Sequence, residues 1–309
     1  MNRLLIICFI ALSLPVFGQQ DAIYSQYSFN PLVINPAYAG SRNSISAVLL
    51  HRSQWVGLEG APVTQTLAIH SPINRTKLAL GLNLGHDAIG PTQSVNAALT
   101  AAYHIKLRKS KLSLALRGGL YNAVLDRNKL KFDNQVDIYN VGGVTSSTVP
   151  SFDFGLYYYK AKFYIGLSLT HLSKQRFTFY NEELKPIGAT SDYYLRTHAF
   201  LNIGYVFDIS ENFKLKPSFL LKNTEGAVAN LDLSFNALLY NKLWIGISFR
   251  NKSSVNFMTE FNVKDYFRIG YAYDVSVNKL NKYNNGSHEI FIGFDFNLKS
   301  KKLISPRYL

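Results

Sequence analysis

The chain holds little with which to do covalent chemistry. Its one cysteine, Cys8, lies inside an N-terminal apolar run. Disulfides and thiolate chemistry are therefore excluded from everything downstream. The seven histidines include no pair at the H-E-x-x-H spacing of a helical zinc site. No G-x-S-x-G elbow, phosphate-binding loop or D-x-D-x-D calcium loop occurs. His104, His171 and His198 fall on strand-like runs, where a histidine is more often a structural hydrogen-bonding residue than a catalyst. Acids are scarce too: 19 Asp and Glu stand against 33 Lys and Arg, a net charge of +14. So strong a basic excess fits nucleic acid, anionic lipid or an acidic protein. Beyond residue 18, finally, no apolar run approaches the roughly 20 residues of a membrane-spanning helix. The composition thus predicts no enzyme, no cofactor and no metal.

The N-terminus decides among the partners. Met1-Asn2-Arg3 gives a positive start, and Leu4 to Leu14 is an apolar core of signal-peptide length. Pro15-Val16-Phe17-Gly18 then leads to a cut expected before Gln19. Cys8 sits in mid-core, which speaks against a lipoprotein signal. An exported chain rarely meets nucleic acid, so none is expected as a partner. Aromatics are abundant, with 20 Tyr and 21 Phe, and mean hydropathy is −0.01. An exported, aromatic-rich chain without cysteine or helical spans predicts an outer-membrane β-barrel. A secreted β-sandwich is the competing class.

The alternation supports strands. Leu78, Leu80, Leu82 and Leu84 share one parity, and Ala79, Gly81, Asn83 and Gly85 the other. Runs at 94–105 and 112–121 repeat the pattern. Period two held this long is a strand signal. Further runs near 44–53, 63–71, 151–160, 162–172, 195–207, 213–224, 229–240, 243–250, 254–263, 266–274 and 288–297 bring the count to fourteen. An even number suits a single-chain bacterial barrel. Short links at 72–77, 106–111, 160–162, 208–213, 241–242 and 264–265 alternate with longer ones at 54–62, 86–92, 122–150, 173–194 and 274–287. Tight periplasmic turns and longer external loops give that asymmetry. The expected division is a signal peptide at 1–18, a periplasmic segment or short plug at 19–43, a barrel at 44–298 and a periplasmic tail at 299–309.

Three groups of residues stand out. Aromatics near the short turns, among them Tyr103, Tyr158, Tyr205, Tyr240, Trp244 and Tyr266, predict a belt at the lipid–water boundary. Basic residues gather at the same turns: Arg75, Lys77, Lys106, Arg108, Lys109, Lys111, Lys160, Lys162, Lys214 and Lys216. They predict a periplasmic ring, for anionic headgroups of outer-membrane lipids or for an acidic partner. At the other end of the first strand, Arg52, Gln54 and Trp55 predict an external protein contact.

The lead-in FNPLVINPAYAGSRN, residues 29–43, is the unusual stretch. Asn30-Pro31 and Asn35-Pro36 are turn signals that bar a helix at the residue before each proline. Flexible linkers favour Gly, Ser and charge. Here Phe29, Leu32, Val33, Ile34 and Tyr38 lie between rigid prolines, which predicts a segment that packs. It reads as a short plug in the periplasmic mouth or a contact for a partner, with Gly40 releasing the chain into the barrel.

Together, NPAYAGS at 35–41, HRSQWVGLEGAPVTQTLAIHSPI at 51–73, GYAYD at 270–274, SHEI at 287–290 and SPRYL at 305–309 resemble the PorP/SprF family of the type IX secretion system. The resemblance covers essentially the whole mature chain. It departs at Leu309, where an aromatic is more usual. It implies a non-enzymatic outer-membrane barrel. One branch of such proteins is tied to the machinery's periplasmic ring. Another serves a partner substrate, often a large adhesin, and holds that protein's C-terminal domain at the cell surface. The second branch is the one expected here, with the external loops meeting the substrate. A fourteen-stranded transporter or porin for small or hydrophobic solutes is the alternative. The roughly 25 residues before the first strand are few for the hatch of such a channel.

Overall fold

The computed structural model describes residues 22, 24–42, 44–131, 142–179 and 194–297. The expected signal peptide and C-terminal tail lie outside these residues. Fifteen strand segments follow in order. They are β1 (Ser44–Ser53), β2 (Val63–Pro72), β3 (Leu78–Ile89), β4 (Thr92–Lys106), β5 (Lys111–Asp126), β6 (Val144–Lys160), β7 (Phe163–Thr170) and β8 (His198–Tyr205). Then come β9 (Phe207–Ser210), β10 (Phe213–Thr224), β11 (Asn230–Leu239), β12 (Leu243–Arg250), β13 (Ser254–Lys264), β14 (Phe267–Ser276) and β15 (Ser287–Asn297). All neighbours are antiparallel. β1 pairs with both β2 and β15, and β10 with both β8 and β11, so the sheet closes on itself. β8 and β9 are one stave interrupted at the buried Val206, which makes a barrel of 14 strands. Closure leaves no unpaired edge, which a lipid environment requires.

The parity rule holds, inverted relative to a soluble protein. Leu80, Leu99, Leu116 and Leu120 point outward and are 56–69% exposed. The inward parity holds Ala68, Ala79, Ala102 and Ala115, all buried, together with most of the charged groups. An apolar exterior around a polar interior is the arrangement for lipid, and a sandwich core is ruled out. At the rim carrying the short connections, Tyr103, Tyr205, Tyr240 and Tyr266 are exposed as the belt requires. Trp244 is not part of it: it faces the lumen and is buried against Phe29.

The wall is uneven in height. β7, β8 and β12 have 8 residues each, whereas β5 has 16 and β6 has 17. The extra length corrects two expected loops. The expected loop at 86–92 shrinks to a tight turn at 90–91, because β3 continues to Ile89 and β4 resumes at Thr92. Of 122–150, both ends are paired strand, with Asn122 opposite Thr148 and Asp126 opposite Val144. The β7–β8 connection turns inward at both described ends. Phe177 and Leu195 are buried against Tyr121, Ala123 and Val149 on the inner face of the tall wall, and the Thr178 amide donates to Ser147 Oγ at 3.1 Å.

Candidate functional site

The lumen is occupied along its length by the chain's own N-terminal segment. Each Asn-Pro step opens a single 3-10 turn, Pro31–Val33 and Pro36–Tyr38. Proline suits a first helical position, where its fixed φ fits and its missing N–H is not needed. Asn35 caps the second turn: its Oδ1 accepts from the Ala37 amide at 2.9 Å, while its Nδ2 donates to the Leu156 carbonyl of β6 at 3.0 Å. These turns fold the segment into a compact body. Tyr27, Leu32, Ala37, Tyr38 and Ala39 are all 2% exposed or less. Gly40 has φ +69°, and its missing side chain is required, since a Cβ would collide with that of Ala79. The Gly40 amide donates to His70 Nδ1 at 3.1 Å, and His104 Nε2 donates to the Ala39 carbonyl at 2.9 Å.

The segment runs the length of the lumen. Gly40 sits beside Pro72 and Ala79, at the rim of short turns. Ser25 and Gln26 sit near the opposite, loop-bearing rim, beside Arg52 and Glu289. A plug confined to the turn-side mouth was expected. The segment instead reaches the far end, and the wall's bulky Tyr157, Tyr159 and Tyr164 pack with it in one buried cluster.

Wall side chains grip its main chain. Arg250 donates to the Tyr24 carbonyl at 3.1 Å, Arg268 to that of Phe29 at 3.1 Å, and Arg117 to that of Leu32 at 3.1 Å. Ser168 donates to the Ile34 carbonyl at 2.5 Å. The carboxylate of Glu289 accepts from the amides of Ser25 and Gln26 at 2.9 and 2.8 Å. Each arginine is also ion-paired: Arg250 with Asp232, Arg117 with Asp153, Arg268 with Glu260 and Asp295. Arg42 joins Asp295 at 3.0 Å, and Arg52 bridges Asp274 and Glu289 at 2.7 and 3.1 Å. Buried charges without partners are too costly to keep. Most of the lumen's charge is therefore spent on itself and on the segment.

Two candidate residues move with these findings. Arg52, expected on the external surface, is buried in this ion-pair cluster, 2% exposed. Lys216, expected in the basic ring, is buried with its ammonium 5.2 Å from the Trp244 ring and 5.8 Å from that of Phe29. Both lie on the inward parity of their strands, a signal that was readable: Arg52 follows Ser44 and Ser46, and Lys216 precedes Ser218. Gln54 and Trp55 stay partly exposed at the loop rim. Trp55 has φ +49°, and its amide donates to Ser287 Oγ at 3.1 Å. Val56 and Asn285–Gly286 exchange main-chain bonds, so the β1–β2 loop is latched to the β14–β15 connection.

The remaining basic residues do ring the turn rim. Arg75, Lys77, Lys106, Arg108, Lys109, Lys160 and Lys162 are exposed, and Lys111 half-buried. Lys77 lies over Tyr103, Lys111 over Tyr159 and Lys160 over Phe163, at 5.6–5.9 Å. Lys162 and Lys214 both reach Asp208, at 2.8 and 3.0 Å. Sequence reasoning missed Arg117, Arg250, Arg268, Glu260, Asp232 and Glu289, which read as ordinary strand charges until the topology brings them together.

A closed membrane-spanning barrel with its own N-terminal segment packed inside the lumen is therefore the class this geometry defines. The chain belongs to the family described as type IX secretion system membrane protein PorP/SprF, which matches residues 16–294. No curated protein matches it. Among solved structures it is similar to the outer membrane protein Omp33 of Acinetobacter baumannii, at 10% identity and TM-score 0.46 over 82% of this chain and 99% of that one. It is similar also to the toluene transporter TodX of Pseudomonas putida, at 11% identity and TM-score 0.49 over 90% and 95% of the two chains. The translocator domain of the autotransporter NalP from Neisseria meningitidis matches at 11% identity and TM-score 0.44, over 88% and 94%.

Proposed function

We propose that this protein is a non-enzymatic outer-membrane component of type IX secretion that supports export of a partner substrate and anchors the substrate's C-terminal domain, adhesin-like, at the cell surface. The turn rim then faces the periplasm and the loop rim the exterior. The observation that carries the reading is the lumen's close-packed turn-rim half, where the N-terminal segment packs against the wall. A barrel whose wall is hydrogen-bonded to its own N-terminal segment from the loop rim to the turn-side half suits a fixed anchor better than an open solute channel. The exposed lysines and arginines of the turn rim supply a surface for the machinery's periplasmic ring proteins or for anionic lipid headgroups. Gln54 and Trp55 supply the outward surface.

Two measurements test this. Removing the protein from its host should move a surface protein into the medium or block its export, and quantitative comparison of cell and medium fractions identifies it. If no exported protein changes place, the anchoring role is wrong. Reversing Lys106, Arg108, Lys109 and Lys111 to Glu should lower recovery of the periplasmic machinery with an intact barrel. Unchanged recovery would leave those residues to the lipid headgroups.

A further inference from the structure

Closure removes every free edge from the barrel wall itself, but β6 outgrows one of its neighbours above that wall. β6 pairs with β5 from Val144 to Tyr159, whereas β7 joins it only from Phe154 to Lys160. Along Val144 to Asp153 the side of β6 turned away from β5 therefore has no strand beside it. Main-chain groups alternate in direction along an antiparallel strand. The Gly143 carbonyl accepts from the Arg127 amide across the β5–β6 hairpin, and the Phe152 carbonyl accepts from the Leu172 amide on the other side. Odd-numbered residues thus bond β5, and even-numbered ones face the open side.

The β7–β8 connection uses only the lower part of that side. The Leu172 amide reaches Phe152 at 2.8 Å, and the Ser173 hydroxyl donates to the Pro150 carbonyl at 2.9 Å. Pro150 has no N–H to leave unmet. Farther up, Phe177 and Thr178 cover the inner face at Val149 and Ser147 and leave the edge alone. The amides and carbonyls of Val144, Ser146 and Thr148 have no main-chain partner on that side among the described residues. The Thr148 hydroxyl is already engaged, accepting from Asn122 Nδ2 of β5 at 2.8 Å. All three residues are exposed, Val144 by 63%.

A bare edge is normally blunted by charge, proline or a bulge, because it is a template for another strand. The run Val144-Thr145-Ser146-Ser147-Thr148-Val149 carries no charge and no proline, and it is rich in β-branched residues. Its outward residues Ser146 and Thr148 are polar, whereas Phe152 and Phe154 below them are apolar, so this stretch stands clear of the lipid. A second copy of this chain is a poor partner for it. Two copies in one membrane share its inside and outside, so a symmetric pair is related by an axis along the membrane normal. Rotation about that axis keeps every group at its own height, so amide would face amide and carbonyl would face carbonyl. A strand of a different polypeptide, free in register and direction, meets no such conflict.

We infer that the open edge of β6, Val144 to Thr148, is a strand-addition site for an extended, uncharged segment of a secreted polypeptide. The inference rests on the anchoring function above and gives the anchor a main-chain grip. The paired stretch spans roughly 16 Å, at about 3.3 Å per residue. Amides and carbonyls of Ser146 and Thr148 hold the added strand, and its side chains alternate between the two faces of the raised hairpin.

The test places the photoreactive residue p-benzoylphenylalanine at position 146 of the full-length protein and irradiates living host cells. Adducts are identified by mass spectrometry. A matched variant, S146P with T148P, removes both edge-directed amides and spares the bonds to β5, as native Pro150 does at the same parity. The expected result is an adduct with an exported polypeptide whose retention on cells falls about tenfold or more in the double proline variant. S146A with T148A keeps both amides and should lower retention less than about threefold. Barrel assembly, read from heat-dependent migration on gels, should be unchanged. T148P alone, next in parity to Pro150 and milder for assembly, should lower retention about threefold. Absence of a polypeptide adduct, or adducts only with this chain or a second copy of it, overturns the inference. So does a polypeptide adduct whose retention ignores the prolines or falls equally with the alanines. If removing the whole protein displaces no surface protein, the anchoring reading fails separately. A polypeptide adduct at position 146 whose yield drops in T148P would then still support strand addition.

Discussion

Toward the turn rim the lumen is dry and close-packed, with Ala79, Ala102 and Ala115 on the wall meeting Leu32, Ala37 and Tyr38 of the inner segment. Tyr157, Tyr159 and Tyr164 close the remaining gaps, with Tyr38 edge-on to Tyr157 at 5.5 Å between ring centres. Toward the loop rim the same lumen holds ion pairs, hydroxyls and open space. One short segment makes both halves, and the wall decides which. Where the inward parity carries alanine, backbone approaches backbone and water is excluded. Where it carries Arg, Asp, Asn and Thr, the segment is held by its carbonyls and room remains beside it. Close packing and open space are thereby separated along one axis.

Deleting residues 22–39 should have the largest effect, because it removes both the seal and the grip. The barrel should pass from a silent baseline to discrete conducting steps in a planar bilayer. The vacated charges would be hydrated and still paired to one another across the wall. A silent deletion variant with an assembled barrel would mean that something other than the segment closes the lumen.

Arg268→Ala comes next. It strands Glu260 in the interior, leaves Asp295 to Arg42 alone and frees the Phe29 carbonyl. Breaking one side of a buried ion pair costs about 3–5 kcal/mol. The urea midpoint of the folded barrel should fall accordingly, and conductance should begin to flicker as the segment loosens. Gly40→Val ranks below it. The position needs φ +69° and has no room for a Cβ, so strain of about 1–3 kcal/mol is expected. Because Gly40 lies in the sealed half, leak should appear there without loss of the ion pairs near Arg52.

Much of this was readable in the residues, and the boundary is instructive. The outward leucines of β3 to β5 and the alternation of short and long links defined the barrel, because lipid imposes one rule on every strand. The Asn-Pro steps announced a packed segment. What they could not announce was its direction or reach, since both depend on partners more than 200 residues away, such as Glu289 for Ser25 and Asp295 for Arg42. The upper parts of β5 and β6 were hidden for a different reason. Asn122, Ser146, Ser147 and Thr148 stand where both faces are polar, so alternation disappears although pairing continues. Arg52 and Lys216 misled because charge near a turn or loop was read as surface, when strand parity already placed both inside.

The finest test of the contrast uses one substitution at two sites on the same strand. Ala98 and Ala102 both face the lumen from β4, four residues apart. Ala102 is 1% exposed within the sealed half, whereas Ala98 borders the loop-side cavity. Ala102→Leu forces three extra carbons into filled space, and such overpacking costs about 1–3 kcal/mol. Ala98→Leu places the same carbons where space already exists, so its stability should stay within about 0.5 kcal/mol of the parent. Equilibrium unfolding in urea, performed on both variants in the same bilayer or detergent, reads the difference directly. Equal destabilisation would show that the loop-side cavity is not available space and would erase the distinction between the two halves. A large gap would show that the two halves of the lumen differ in packing as the inward residues of β4 imply.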